Sequence, residues 1–213
     1  MSQYYEELLS AFVRGRLGVG AEPFDVLLEQ ARSAELRISK FKRDVRPLAR
    51  VTRVLGALNG LVPESLLDVG SGRGAFLWPL LDRFPSLPVH AIDRLPQRVS
   101  DLEAAREGGV ERLSASRMDV TELTFEDSSF DGATALEVLE HLENPSAAAK
   151  QLVRVARRFV VTSVPAKEDD NPEHIQLFTA ESLTEIFMAA GARRVSCDYV
   201  LNHLIAVVML KDD

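Results

Sequence analysis

With 213 residues, 46% of them hydrophobic and 27% charged, the chain is long enough for one α/β domain with an appendage and has an ordinary globular composition. No apolar run approaches the ~20 residues that span a bilayer, and Cys197 is the sole cysteine, which excludes an intrachain disulfide and a cysteine-built metal cluster. The net charge of −7 argues against a general nucleic-acid binder, but it is unevenly spread: residues 1–60 carry 10 Lys/Arg against 7 Asp/Glu (+3), and residues 61–213 carry 15 against 25 (−10). Met1 to Glu7 lack the basic-then-apolar order of a signal peptide, so the expected location is the cytoplasm.

Residues 4–14 place Tyr5, Leu8, Leu9 and Phe12 at helical spacing, and Gly15, Gly18 and Gly20 are expected to end that helix. A second helix is expected from near Pro23, with Phe24, Leu27, Leu28 and Ala31 on one side. A third, over 48–61, carries Leu48, Val51, Val54, Leu55 and Leu58. Between them, Arg37, Lys40, Lys42, Arg43, Arg46, Arg50 and Arg53 are opposed only by Asp44. This basic stripe over 37–53 is either a solvated helix face or a surface for an acidic substrate such as RNA. Residues 1–62 therefore form an N-terminal helical extension, expected to cap the edge of the domain over 63–213 or to join a second subunit as a homodimer.

From Leu66 short apolar runs alternate with helical segments, the pattern of a mainly parallel sheet with helices on both faces. The first run, Leu66-Leu67-Asp68-Val69, enters Gly70-Ser71-Gly72-Arg73-Gly74, and a helical pattern occupies Ala75 to Phe84. Such a turn lets a ligand lie against bare backbone, and the helix start beyond it offers N–H groups to polar or anionic atoms. Gly70-x-Gly72-x-x-Ala75 also satisfies a dinucleotide fingerprint. Further strands are expected near 89–92, 112–118, 130–136, 158–163, 193–200 and 203–210. The last two are joined at Leu201-Asn202, and so short a link requires them to be antiparallel.

Asp68 two residues before the first glycine, the third glycine at Gly74 and the segment Glu137-Val138-Leu139-Glu140-His141 after the fourth strand resemble the class I S-adenosylmethionine-dependent methyltransferases. The resemblance covers roughly 64–210. It implies an α/β, Rossmann-like doubly wound seven-stranded sheet with an antiparallel last strand, here preceded by the N-terminal helical cap. It implies S-adenosylmethionine as cofactor, held by Asp68, Gly70, Ser71, Gly72 and Gly74. Asp93, 19 residues after Gly74, is placed to accept from the ribose hydroxyls, with Arg94 beside the adenine. Asp119 and Val120 would meet the adenine edge, although Asp119 could equally cap a turn, and Glu137 would close the cofactor pocket.

Asn144-Pro145 is a helix-start signal, so Glu137–Leu142 is a turn at the pocket mouth. His141 is the candidate base there, with Glu140 beside it. The polar loop Val164 to Leu177 has the composition of a lid. Glu137, Glu140, His141 and His174 together resemble the divalent-metal site of small-RNA 2′-O-methyltransferases, and Phe178-Thr179 repeats a pair found there. The same spacing also resembles metal-free members. The sequence reading is a methyltransferase acting on an O or N atom of a small molecule, with metal-assisted RNA ribose methylation as the alternative. An NAD-type oxidoreductase and a non-catalytic scaffold are the rivals from other classes.

Overall fold

The computed structural model describes residues 3–44, 47–167 and 170–211. Strands β1 (Leu66–Val69), β2 (Val89–Asp93), β3 (Leu113–Arg117), β4 (Phe130–Leu136), β5 (Ala156–Pro165), β6 (Arg194–Val200) and β7 (His203–Met209) form one sheet in the order β3-β2-β1-β4-β5-β7-β6. The first five are parallel, and β7 runs antiparallel to both β5 and β6. The order reverses at β1, whose neighbours are β2 and β4. Crossovers leave in opposite directions there and open a crevice at the carboxyl ends of the strands.

Alternating strand residues feed two apolar layers. Leu66, Val89, Ala91, Val161 and Ile205 face one layer; Leu67, Val69, Ile92, Val160 and Ala206 face the other. The first is covered by α4 (Leu77–Arg83), α5 (Pro96–Glu107) and the three N-terminal helices, α1 (Glu6–Leu17), α2 (Phe24–Ser33) and α3 (Ala49–Leu61). The second is covered by α6 (Pro145–Val155) and α7 (Ala180–Ala189). Asn144 caps α6 by accepting from Ala147 N–H at 3.0 Å with Pro145 in the first turn, as the sequence signal requires. Thr179 and Ser182 form a capping box at α7.

The N-terminal helices share the first apolar cluster with the sheet: Leu8, Leu9, Phe12, Leu27, Phe41 and Leu58 are buried together with Leu66 and Trp78. Helix α1 runs past Gly15 to Leu17 and ends at Gly18 in the left-handed conformation. Gly15 does not break the helix because it is where α1 meets α5: a Cβ there would lie 1.9 Å from the Ala104 carbonyl oxygen. Helix α4 begins at Leu77 rather than Ala75, since the turn after β1 extends through Phe76.

The basic stripe is largely paired, although Arg37 and Lys42 stay exposed. Lys40 is buried against the Phe12 ring and pairs with Asp101, which also takes Arg16 at 2.6 Å. Arg43 pairs with Asp82, Arg53 with Asp198 at 2.9 Å, and Arg50 lies 3.7 Å from Glu137. Arg46 lies outside the described residues. The carboxylates that pair with Lys40, Arg43, Arg50 and Arg53 come from distant sequence, so a count of local opposing charges misses them. No helix among the described residues is long and apolar enough to cross a membrane.

Gly15→Ala provides a test of the α1–α5 contact. In a helix interior this change ordinarily stabilises by about 0.5–1 kcal/mol. Here it is expected to destabilise by about 1–3 kcal/mol, because the Ala104 backbone must move. Urea denaturation measures the sign.

Candidate functional site

The crevice beside β1 holds two adjoining pockets. The larger, about 290 Å³, is lined by Val69, Gly70, Gly72, Asp93, Arg94, Leu95, Arg98, Met118, Asp119, Val120, Glu137, Val138, His141, Leu142 and Glu173, among others. The smaller, about 170 Å³, is lined by Arg50, Val51, Asp68, Ser71, Ala75, Phe76 and Leu136, and shares Val69, Gly70, Gly72, Arg73 and Glu137 with the first. The glycine turn is therefore the partition between them.

Two carboxyl groups set that partition. Asp68, at 2% exposure, accepts the Ser71 hydroxyl on Oδ2 and the Thr134 hydroxyl on Oδ1, each at 2.8 Å, which ties the turn to β1 and β4. Burial pushes this carboxyl up from its ordinary 3.8 to about 6; the two hydroxyls oppose the rise and Asp93 adds to it. Asp93 at the end of β2 accepts Gly72 N–H on Oδ2 and Leu95 N–H on Oδ1, both at 2.9 Å. Each oxygen keeps a second lone pair, so the carboxylate can accept ligand hydroxyls without releasing either backbone bond.

Asp119 does cap a turn. Its Oδ1 accepts the Thr121 hydroxyl at 2.7 Å and the Thr121 N–H at 2.9 Å, and these bonds hold its carboxyl below the usual range. The same residue lines the larger pocket, so its two sequence readings coexist. Gly74 lies in neither pocket wall. Its missing Cβ makes room for the Trp78 indole, which would otherwise sit 2.0 Å away and whose Nε1 donates to the Arg73 carbonyl at 3.0 Å.

The turn after β4 carries the remaining candidates. Glu137 occupies the left-handed region at φ 56°, uncommon for a residue with a side chain. Its Oε1 accepts from Ser163 Oγ at 2.8 Å, and its Oε2 lies 3.2 Å from His203 Nε2. Of the four residues that resemble a metal site, Glu140, His141 and His174 bring ligand atoms within 4.8 Å of one another, while Glu137 is engaged with Ser163, His203 and Arg50. Glu140 is fully buried and lines neither pocket, so of the two predicted catalytic residues only His141 reaches the cavity.

The loop after β5 lies against this turn. His141 Nδ1 is 2.9 Å from the Glu173 carbonyl, Ile175 N–H donates to the Glu140 carbonyl at 3.0 Å, and the Gln176 amide donates to the Leu142 carbonyl. Glu168 and Asp169, part of the expected lid, lie outside the described residues. His203 escapes the sequence reading, although the antiparallel β7 has to begin at the carboxyl edge of the parallel strands, where Pro165 pairs with His203.

Residues 67–159 match a family described as a methyltransferase domain. An O-methyltransferase, resE, of Aspergillus sclerotiorum is 29% identical over 111 residues, covering 51% of this chain and only 42% of the fungal protein. Among solved structures, a SAM-dependent methyltransferase from Aquifex aeolicus superposes with a TM-score of 0.62 at 18% identity over 79% of this chain and all of that one. The methyltransferase domain of a bacterial Hen1 gives 0.60 at 23% identity, covering 76% and 98%. These likenesses identify the Rossmann-like methyltransferase fold.

The Asp68 carboxyl gives the site a pH signature. Between about pH 4 and 6 the native chain keeps this proton and the unfolded chain releases it. Native stability thus falls as pH rises through that window, by about 3 kcal/mol at about 1.4 kcal/mol per unit, and levels above it. Asp68→Asn is expected to remove that fall in urea titrations across the range; a pH slope unchanged in the variant would assign it to another group.

Proposed function

We propose that this chain is a class I S-adenosylmethionine-dependent methyltransferase that transfers a methyl group to an oxygen or nitrogen of a small molecule, a reading supported by the domain match and the shared fold. The cofactor reading is supported by the two joined pockets: a nucleoside-sized cavity with Asp93, Asp119 and Val120 in its wall, and a smaller charged one across Gly70–Gly72. Asp93 and Arg94 would hold the ribose and adenine end, and the turn backbone the sulfur. When bound, the cofactor supplies a methyl group on a sulfonium, an electrophilic carbon open to in-line attack.

The observation that carries the catalytic reading is the His141–Glu173 contact. A carbonyl can only accept, so Nδ1 donates to it and Nε2 is the nitrogen left to take a proton. His141 lines the pocket beside Leu142 and Glu173, and Nε2 takes the proton that the acceptor's O–H or N–H loses as its lone pair attacks. The 173–176 segment, held to the turn by its backbone bonds, limits water at the mouth. The single cysteine and the acidic main domain suit a cytoplasmic enzyme with a neutral or cationic metabolite as acceptor.

A second reading, metal-assisted ribose methylation of RNA, has one supporting observation: the convergence of Glu140, His141 and His174. These three offer the mixed nitrogen and oxygen donors a divalent cation takes, and such an ion lowers the pKa of a bound hydroxyl. The dispersed basic stripe and the diversion of Glu137 weigh against it.

His141→Gln is expected to lower turnover about 100-fold or more while S-adenosylhomocysteine still binds. A variant with near-normal turnover would remove His141 as the base. Methyl-labelled cofactor incubated with enzyme and fractionated cell extract identifies the acceptor. Label in the metabolite fraction, insensitive to chelator, is expected; chelator-sensitive label in RNA ribose would establish the second reading instead.

A further inference from the structure

Leu95, Ile175, Leu177, Tyr199 and Leu201, five of the nine large apolar side chains that stand exposed among the described residues, lie at the carboxyl ends of the strands, where the crevice opens. Single exposed leucines are ordinary on a soluble protein, but a run of them at a pocket mouth is not. Four of the five follow one another away from that mouth. The 173–178 segment is anchored from beneath: His174 packs its ring against His141 at 4.9 Å, the Gln176 amide donates to the Leu142 carbonyl, and Phe178 enters the second apolar layer. The alternate residues therefore face outward: Glu173 in the wall of the larger pocket, then Ile175 and Leu177, which are 54% and 48% exposed. Thr179 then caps α7, and the Ala180 carbonyl lies 3.8 Å from Cys197 Sγ on β6. Tyr199 shares the Cys197 face of β6, two residues nearer the carboxyl edge. Leu201, 81% exposed, stands in the turn whose Asn202 carbonyl accepts Ala166 N–H.

We propose that the methyl acceptor is amphipathic: its O–H or N–H end enters the larger pocket beside His141, and an apolar chain leaves the pocket past Leu142 and lies along Ile175, Leu177, Tyr199 and Leu201. This inference rests on the methyl-transfer reading above and narrows the acceptor within it. A pocket of about 290 Å³ is at the low end of what one small ligand fills. With a nucleoside in it, only the reacting end of an acceptor fits, and the rest has to lie on the surface next to His141. That surface is apolar, and covering it is favourable for an apolar partner. A bilayer is a poorer match, because residues 167–173 set four Asp/Glu against one Lys beside the track and an anionic lipid face repels them. A second copy seated there would close the mouth through which the acceptor enters.

The probe is N-phenyl-1-naphthylamine, a neutral apolar dye that brightens on leaving water, titrated into the full chain saturated with S-adenosylhomocysteine. Saturable brightening is expected, and the double variant Ile175→Ser/Leu177→Ser is expected to weaken the dye about tenfold or more. Calorimetry should give that variant an S-adenosylhomocysteine affinity within about twofold of the natural chain's, which also reports that it is folded. Leu177→Met should keep most of the dye affinity. In the labelled-cofactor assay the methylated product is expected to partition into octanol, and the double variant to raise KM for the acceptor more than it lowers kcat. Dye affinity indifferent to the double substitution, or a labelled product that stays in water, overturns the amphipathic acceptor and leaves the methyl-transfer reading standing. A dimer, or co-sedimentation with phosphatidylcholine vesicles, that the double variant abolishes would assign the track to a second copy or to a membrane instead. If S-adenosylhomocysteine does not bind the natural chain, the methyl-transfer reading fails and the inference fails with it.

Discussion

The buried carboxyl of Asp68 is the constraint on which the site depends. A chain leaving β1 at the point where the sheet order reverses enters a crevice with few neighbours, and three alternate glycines leave its turn few side chains with which to hold itself. The Ser71 hydroxyl bound to Asp68, and Asp68 bound in turn to Thr134 on β4, fix the turn from below. Asp93 fixes it from the side by taking the Gly72 N–H. The backbone between two such anchors can form a thin partition with a pocket on each face. The cost is a carboxyl kept in apolar surroundings, visible in its raised pKa of about 6.

Glu137 is the counterpart on β4. Its left-handed backbone turns the chain sharply at the end of the strand, and its side chain gathers Ser163 from β5, His203 from β7 and Arg50 from α3. The 139–142 turn with His141 is thereby attached to the sheet at one end and to the 173–176 segment at the other. The N-terminal extension thus reaches the crevice through Arg50 and Val51, while its helices are built into the first apolar layer.

Local signals in the sequence hold where they depend on neighbours in the chain. The strand-glycine-helix order, the Asn144-Pro145 start and the tight Leu201-Asn202 link each occur where residue type and spacing put them. The departures share one cause, which is pairing across long sequence distance. Gly15 has the local signature of a helix terminator, but its reason for being glycine is the backbone of Ala104, some ninety residues on. The basic stripe is opposed along the chain only by Asp44, yet Asp82, Asp101 and Asp198 return to it from three other elements. Gly74 has the spacing of a ligand contact, but the group it accommodates is Trp78. Glu137 has the spacing of a metal ligand because sequence gives its distance from Glu140 along the chain and not the direction of its side chain, which His203 and Ser163 determine.

The two sides of the crevice therefore differ in how fully they are specified. Around the glycine turn the wall is backbone and carboxylates with defined partners, whereas around His141 it consists of a few apolar side chains and a loop. The most direct measurement is a calorimetric titration of the natural chain with S-adenosylhomocysteine and, separately, with NAD. One-to-one binding of S-adenosylhomocysteine and none of NAD is expected. Binding of NAD without S-adenosylhomocysteine would contradict the assignment of the glycine turn as a methyl-donor site.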